Sequence, residues 1–252
     1  VTTSTPCPAN IVEVQLIDKG TVVATAKGVQ GKELRIGMQH PQLWSPDTPY
    51  LYDLKVTLKK NGKTVDEVKS YTAFRKISAQ RDANGIMRMF LNNKPLFHYG
   101  PLDQGWWPDG LYTAPTDEAL LFDIKKTKEW GFNMIRKHVK VESARWYYHC
   151  DKEGILVWQD MPSGDMGNSY KPREYNAGTD KKRSQASIAN YYQEWKEIMD
   201  FCFSFPSVVV WVPFNESCGL FDTEMVVAWT EQYDPSRLVN PASGGEHCSC
   251  GH

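Results

Sequence analysis

The sequence carries no excess charge of either sign. Its 29 Lys and Arg oppose 30 Asp and Glu, a formal net charge of -1 over 252 residues, so neither a nucleic-acid partner nor an anionic membrane surface is expected. No apolar run approaches the roughly 20 residues of a membrane-spanning helix. The opening VTTSTPCPAN has neither the basic start nor the apolar stretch of a signal peptide. Compartment, cytoplasmic or periplasmic/extracellular, therefore stays open. Internal repeats and low-complexity segments are lacking, and so is the glycine-rich dinucleotide fingerprint. The six cysteines are Cys7, Cys150, Cys202, Cys218, Cys248 and Cys250; they are scattered except for the last two and form no disulfide framework, so free thiols are expected. The closing EHCSCGH crowds His247, Cys248, Cys250 and His252 into one short segment whose spacing fits no common zinc pattern. A loop without metal is expected there.

Apolar residues make up 41% of the chain, enough for sizeable cores, and they occur in two textures. Up to about residue 80 the pattern is strand and turn. IVEVQLID, TVVATAKG and KELRIGM are short and punctuated by Gly or Lys-Gly, and each reads as a strand. YLYDLKVTLKK alternates Tyr52, Leu54, Val56 and Leu58 against Asp53, Lys55, Thr57 and Lys59, and Asn61-Gly62 supplies a type I′ turn into KTVDEVKSYTAF. Residues 1–80 are thus expected to form an immunoglobulin-like β-sandwich, with too few strands for a complete one.

Residues 81–252 alternate strand and helix. PLFHYG (95–100) is predicted as a strand. DEALLFDIKKTKEWG, with acids in its first turn, Lys in its later turns and Gly131 as a stop, is predicted as a helix. FNMIRKH, ILVWQD, VVVWVPFNES and RLVNPAS read as further strands, separated by helices at 142–154, around Ile188–Cys202, and over DTEMVVAWTEQY. Strict alternation implies parallel βα units. Polar groups recur where the strands end: Arg136 and His138, then Asp160, then Asn215 and Glu216. Chemistry gathers at that end of a (β/α)8 barrel, so an incomplete barrel of about five strands is expected.

The residues that carry a likeness are WSPDTPYLYDLKV, FLNNKPLFHYG, GFNMIRKHVKVE, GILVWQDMP and PSVVVWVPFNES. Together, over about 40–245, they resemble glycoside hydrolase family 2, the β-galactosidases, β-glucuronidases and β-mannosidases. The resemblance implies a sandwich followed by a catalytic barrel and a retaining exo-β-glycosidase, β-galactosidase-type, acting on a carbohydrate substrate with no cofactor. It implies that Glu216 is the general acid/base and that Asn215 bonds the sugar hydroxyl beside the reacting carbon. Taken on its own, Glu216 also reads as a solvated glutamate ending a strand. Trp211 and Phe214 are expected to desolvate its carboxyl and raise its pKa.

Arg136 and His138 resemble polar residues around the sugar; their plainer reading is an ion pair and a hydrogen-bonded histidine inside the barrel. Asp160 reads equally as a substrate contact or as a group orienting Arg136 or His138. LDQGWWPDG offers Asp103 as a hydroxyl acceptor and Trp107 as a stacking face, with one of Trp106 and Trp107 used for packing. Retention needs a second carboxylate roughly 5–5.5 Å from the first. In the family it lies on the seventh barrel strand, whereas the chain ends at His252, after the fifth predicted strand. Glu224, Glu231 and Glu246 do not suit that role. The expectation is a fragment that lacks the nucleophile, is inactive alone, and self-associates through open barrel edges. A non-catalytic carbohydrate-binding module is the rival reading.

Overall fold

The computed structural model describes residues 10–165, 182–216, 220–243 and 250–252. It divides into two compact units, residues 1–44 with 50–74 and residues 45–49 with 75–252.

The first unit is an immunoglobulin-like antiparallel sheet of β1 (Ile11–Asp18), β2 (Thr21–Val29), β3 (Tyr52–Lys60) and β4 (Lys63–Thr72), in the order β2-β1-β3-β4. Asn61 and Gly62 have φ of 49° and 76°, the left-handed pair a type I′ hairpin requires to follow the twist of its strands. Register sets the two faces. Val14 lies opposite Val56, which lies opposite Val68, and Leu16 opposite Leu54. The other face is ionic: Glu13 accepts from Lys27 at 2.7 Å and Lys59 at 3.0 Å, and Lys55 meets Glu67 at 2.7 Å. Thr57 departs from the expected alternation and is buried. KELRIGM is not a strand. Its Leu34 instead fills the space left open by the missing side chain of Gly28 on β2, where a Cβ would lie 2.3 Å from Leu34 Cδ2.

The second unit begins with three antiparallel strands, β5 (Ile77–Arg81), β6 (Met87–Leu91) and β7 (Lys94–Pro95). It continues as alternating strand and helix: β8 (Leu102–Asp103), α1 (Asp117–Glu129), β9 (Met134–Lys137), α2 (Ala144–Glu153), β10 (Leu156–Asp160), α3 (Gln185–Cys202) and β11 (Val208–Val212). Then follow β12 (Phe214–Asn215), α4 (Thr223–Tyr233), β13 (Leu238–Val239) and β14 (Ala242–Ser243). The sheet order β13-β11-β10-β9-β8 is parallel throughout. Successive strands joined by helices in this order form the first part of a (β/α)8 barrel.

Local chemistry explains the boundaries. Thr116 caps α1 by accepting from Ala119 N at 3.2 Å, and Asp117 and Glu118 fill its first turn. Gly154 ends α2 with φ of 75°, and a Cβ there would lie 2.4 Å from the Pro46 carbonyl, so only glycine fits. The first parallel strand is Leu102–Asp103, not 95–100. Residues 97–101 run beside β9, with Asn133 N donating to Tyr99 O and Arg136 N to Pro101 O, but Pro101 has no N–H to complete a ladder. Pro213 likewise divides the fourth strand into β11 and β12, and β12 pairs with β14 through Phe214–Ala242 and Asn215–Ser243.

The core of this unit lies between sheet and helices. Val208, Val209, Val212, Trp211, Trp195 and Ile124 are all fully buried. Trp211 packs edge-on to Trp195 of α3 at 5.5 Å and donates its indole N–H to Asp234 at 2.9 Å. Phe214 stacks on Tyr191 at 5.3 Å. Among the cysteines, Cys150 and Cys202 are buried free thiols, as expected. Cys250 corrects that expectation: it is disulfide-bonded, in a tail where cysteines lie close in sequence. Cys7, Cys218, His247, Cys248 and Glu246 lie outside the described residues. No helix among those described is long and apolar enough to cross a membrane, and no described group of His, Cys, Asp and Glu could hold a metal ion.

Candidate active site

The C-terminal ends of β9, β10 and β12 bring Arg136, Asp160 and Asn215 into one hydrogen-bonded set. Arg136 Nε donates to Asp160 Oδ1 at 2.9 Å and its Nη2 to Asp160 Oδ2 at 2.8 Å, a two-pronged fork. The same Nη2 donates to Asn215 Oδ1 at 2.9 Å. Asp160 is 0% exposed. Burial raises its carboxyl above the usual range, while the Arg136 hydrogen bonds pull it down. Val139 adds a third bond, its N–H lying 3.2 Å from Asp160 Oδ2. To make it, a β-branched residue adopts φ of 45°, a conformation that costs on the order of 1–3 kcal/mol.

Glu216 directly follows Asn215. It is exposed, and its backbone is left-handed at φ of 49°. Trp211 and Phe214 do not wall it: their rings are spent against α3 and its surroundings. The desolvation expected from them is therefore not supplied by these two side chains. Strand periodicity is the reason, because the large residues of this segment face the helices and the polar ones follow where the strand breaks.

The other expected residues separate into two groups. His138 stands next to the set; its ring Nδ1 meets Gln104 Nε2 at 3.0 Å, and its backbone N–H donates to Asp103 O at 2.9 Å. Asp103 turns the other way. Its Oδ2 takes Lys137 Nζ at 2.6 Å and its Oδ1 accepts from Gly105 N at 2.7 Å. It also lines a cavity of about 440 Å³ with Phe122, Asp123 and Trp130 of the α1 region. Trp107 is half-buried, bridged through its backbone to Leu111 at 2.8 and 2.9 Å, and its buried indole N–H has no partner among the described residues. Trp106 is the exposed ring of the pair and packs edge-on to Tyr112 at 5.1 Å.

Sequence reasoning missed the charge cluster behind this loop. Lys137 and Lys140 are 0% and 2% exposed. Lys137 bonds Glu142 Oε1 at 3.0 Å and lies 4.2 Å over the Trp146 ring; Lys140 bonds the same oxygen at 2.8 Å and the Gly105 carbonyl at 2.7 Å. Gln159 completes the cluster by accepting from the Tyr147 hydroxyl at 2.6 Å and donating to the Lys140 carbonyl at 2.8 Å. The run KHVKVE held the only signal, cations alternating with apolar residues where a strand ends.

Comparison with known proteins agrees with this architecture. Residues 8–75 match the family described as Glycosyl hydrolases family 2, and residues 87–249 match Glycosyl hydrolases family 2, TIM barrel domain. A β-galactosidase of Lactococcus lactis is 27% identical over 88% of this chain and 21% of its own length. The chain thus spans about a fifth of that relative. A β-glycosidase from Bacteroides vulgatus superimposes with a TM-score of 0.70 at 27% identity, over 93% of this chain and 29% of that one. An FMN-binding β-glucuronidase from Facaelibacterium prausnitzii shares the fold, with a TM-score of 0.76 at 23% identity over 93% of this chain and 35% of that one. With its barrel segment matched over most of its length, and the preceding sheet matched as well, this chain belongs to glycosyl hydrolases family 2.

Proposed function

We propose that this chain carries the acid/base half of the active site of a retaining exo-β-glycosidase that releases terminal β-linked sugars. The observation that carries this reading is the linkage of Arg136, Asp160 and Asn215 across three strand ends, with Glu216 next in the chain. Glu216, protonated, gives its proton to the glycosidic oxygen as the bond to the leaving alcohol breaks. As a carboxylate it then takes a proton from the water that frees the sugar. Its left-handed backbone supports the assignment, since strain of this kind is retained where geometry matters to function. Asn215 bonds the neighbouring sugar hydroxyl, His138 and Trp107 lie beside the sugar, and Asp103 acts indirectly by holding Lys137 and the loop. The nucleophile is not assigned to any described residue: Asp160, the carboxylate inside the set, is committed to Arg136.

A galactoside is favoured over a glucuronide. The relative named above with 27% identity over 88% of this chain is a β-galactosidase. A glucuronate carboxylate calls for an uncommitted cation, whereas Arg136 is paired with Asp160, Lys137 with Asp103 and Glu142, and Lys140 with Glu142. The test is alcohol release from a panel of alkyl and aryl β-glycosides by the intact protein and its Glu216→Gln variant. The galactoside is expected to turn over best, with kcat for the alkyl glycosides falling roughly 10²–10⁴-fold in the variant. Activity retained within a few-fold refutes Glu216 as the acid. Sugar binding that survives the substitution, without turnover in either form, identifies a binding module instead.

A further inference from the structure

We propose that Asp160 is a positioning residue: through Arg136 it fixes the side-chain amide of Asn215 with its carbonyl turned to the guanidinium, so that the amide meets the sugar in one fixed orientation, N–H side first. The substrate's part in this rests on the glycosidase reading above; the geometry does not. A guanidinium only donates, so an amide 2.9 Å from Arg136 Nη2 presents oxygen to it, and the reverse orientation would set N–H against N–H. The guanidinium plane is in turn fixed by the fork onto Asp160, at 2.8 and 2.9 Å. Asp160 cannot turn, being fully buried and bonded a third time by the strained Val139 amide. Orientation therefore passes from a buried carboxylate to a guanidinium to an amide. A neutral Asn at position 160 would keep the volume but present an N–H donor to the donors of Arg136 and break the fork.

An Asn215 amide held in that orientation selects a sugar whose hydroxyl beside the reacting carbon accepts its N–H, and disfavours the analogue lacking it. The experiment takes Asp160→Asn and Arg136→Lys in the intact protein, so that failure of one variant to fold leaves the other. Crystal structures of the variants are expected to show the Asn215 amide displaced or reversed; an amide unmoved in the folded variants overturns the proposal. In kinetics, the ratio of kcat/KM for an aryl β-glycoside to that for its 2-deoxy counterpart is expected to fall about tenfold or more in Asp160→Asn. The same substitution should change that ratio no further in an Asn215→Ala background. Equal losses on both substrates, leaving the ratio unchanged, would mean a merely structural role and overturn the proposal. Should the unmodified protein cleave no β-glycoside, the glycosidase reading fails, and the amide position in the variant structures still decides for or against the relay.

Discussion

His98 offers the sharpest physical test of the barrel interior. It is 7% exposed, and its Nδ1 accepts the Trp158 indole N–H at 2.9 Å, so the ring carries its own proton on Nε2, which has no partner among the described residues. Burial pushes the imidazole from 6.5 down to about 4, because the cation would lose its water and gain nothing in return. The folded-state value lies below the unfolded one, so the neutral ring's contribution is complete above about pH 6.5. It is lost as pH falls towards 4 and levels off below that. At pH 5 the loss is about 2 kcal/mol by linkage. His98→Asn keeps an acceptor for Trp158 and does not titrate, so subtracting its urea-unfolding free energy from that of the parent cancels the carboxylates. The difference should shift by about 2 kcal/mol against the parent between pH 7.5 and pH 5. The His98 ring resonance, assigned by its loss in the variant, should titrate near pH 4. A gap that does not move with pH, or a ring midpoint above pH 6, would refute the burial argument.

Two substitutions probe what holds the site's surroundings. Gly105→Ala puts a Cβ 2.4 Å from Glu142 Oε1 and 2.7 Å from Lys140 Nζ at a φ of 61°. The left-handed backbone alone costs about 1–2 kcal/mol, so the melting temperature should drop by several degrees in calorimetry; an unchanged value would mean that the loop does not rest on the Lys140–Glu142 pair. Trp211→Phe removes the indole donor from Asp234 and part of a fully buried ring. Urea unfolding should show a loss of about 2–4 kcal/mol, while a loss under 1 kcal/mol would say that Arg237 and Ser236 alone satisfy Asp234.

The barrel texture was legible because short apolar runs alternate with segments at helical spacing, and α1 adds acids in its first turn. Gly131 and Gly154 sit where their helices stop, both with positive φ. Less legible were the places where proline removes a donor. Pro101 moved the first strand to Leu102–Asp103 and Pro213 split the fourth, and in both cases the apolar pattern continues past the hydrogen-bond ladder that defines the strand. KELRIGM failed for another reason: its alternation is that of a strand, but pairing is a tertiary event and Leu34 finds Gly28 instead of a ladder.

The site divides along the same line between local pattern and long-range pairing. Asn215 and Glu216 are visible because polar residues interrupt a buried run, a signal within six residues of chain. Arg136 and Asp160 are visible as strand-end charges, but their fork spans 24 residues and the bond to Asn215 spans 79, so the sequence alone does not show that they pair. Burial is what favours orientation over contact for Asp160. A carboxylate with 0% exposure that accepts two bonds from one guanidinium and a third from a backbone amide has little left to offer a ligand, which is the ground for proposing it as a positioning residue. Asp103 follows the same rule: its partner Lys137 is the strand neighbour of Arg136, one residue on and therefore on the opposite face. Alternation along β9 thus sends Arg136 to Asp160 and Asn215 and the next cation, Lys137, to Asp103 and Glu142, so that each cation is paired with a carboxylate on its own face.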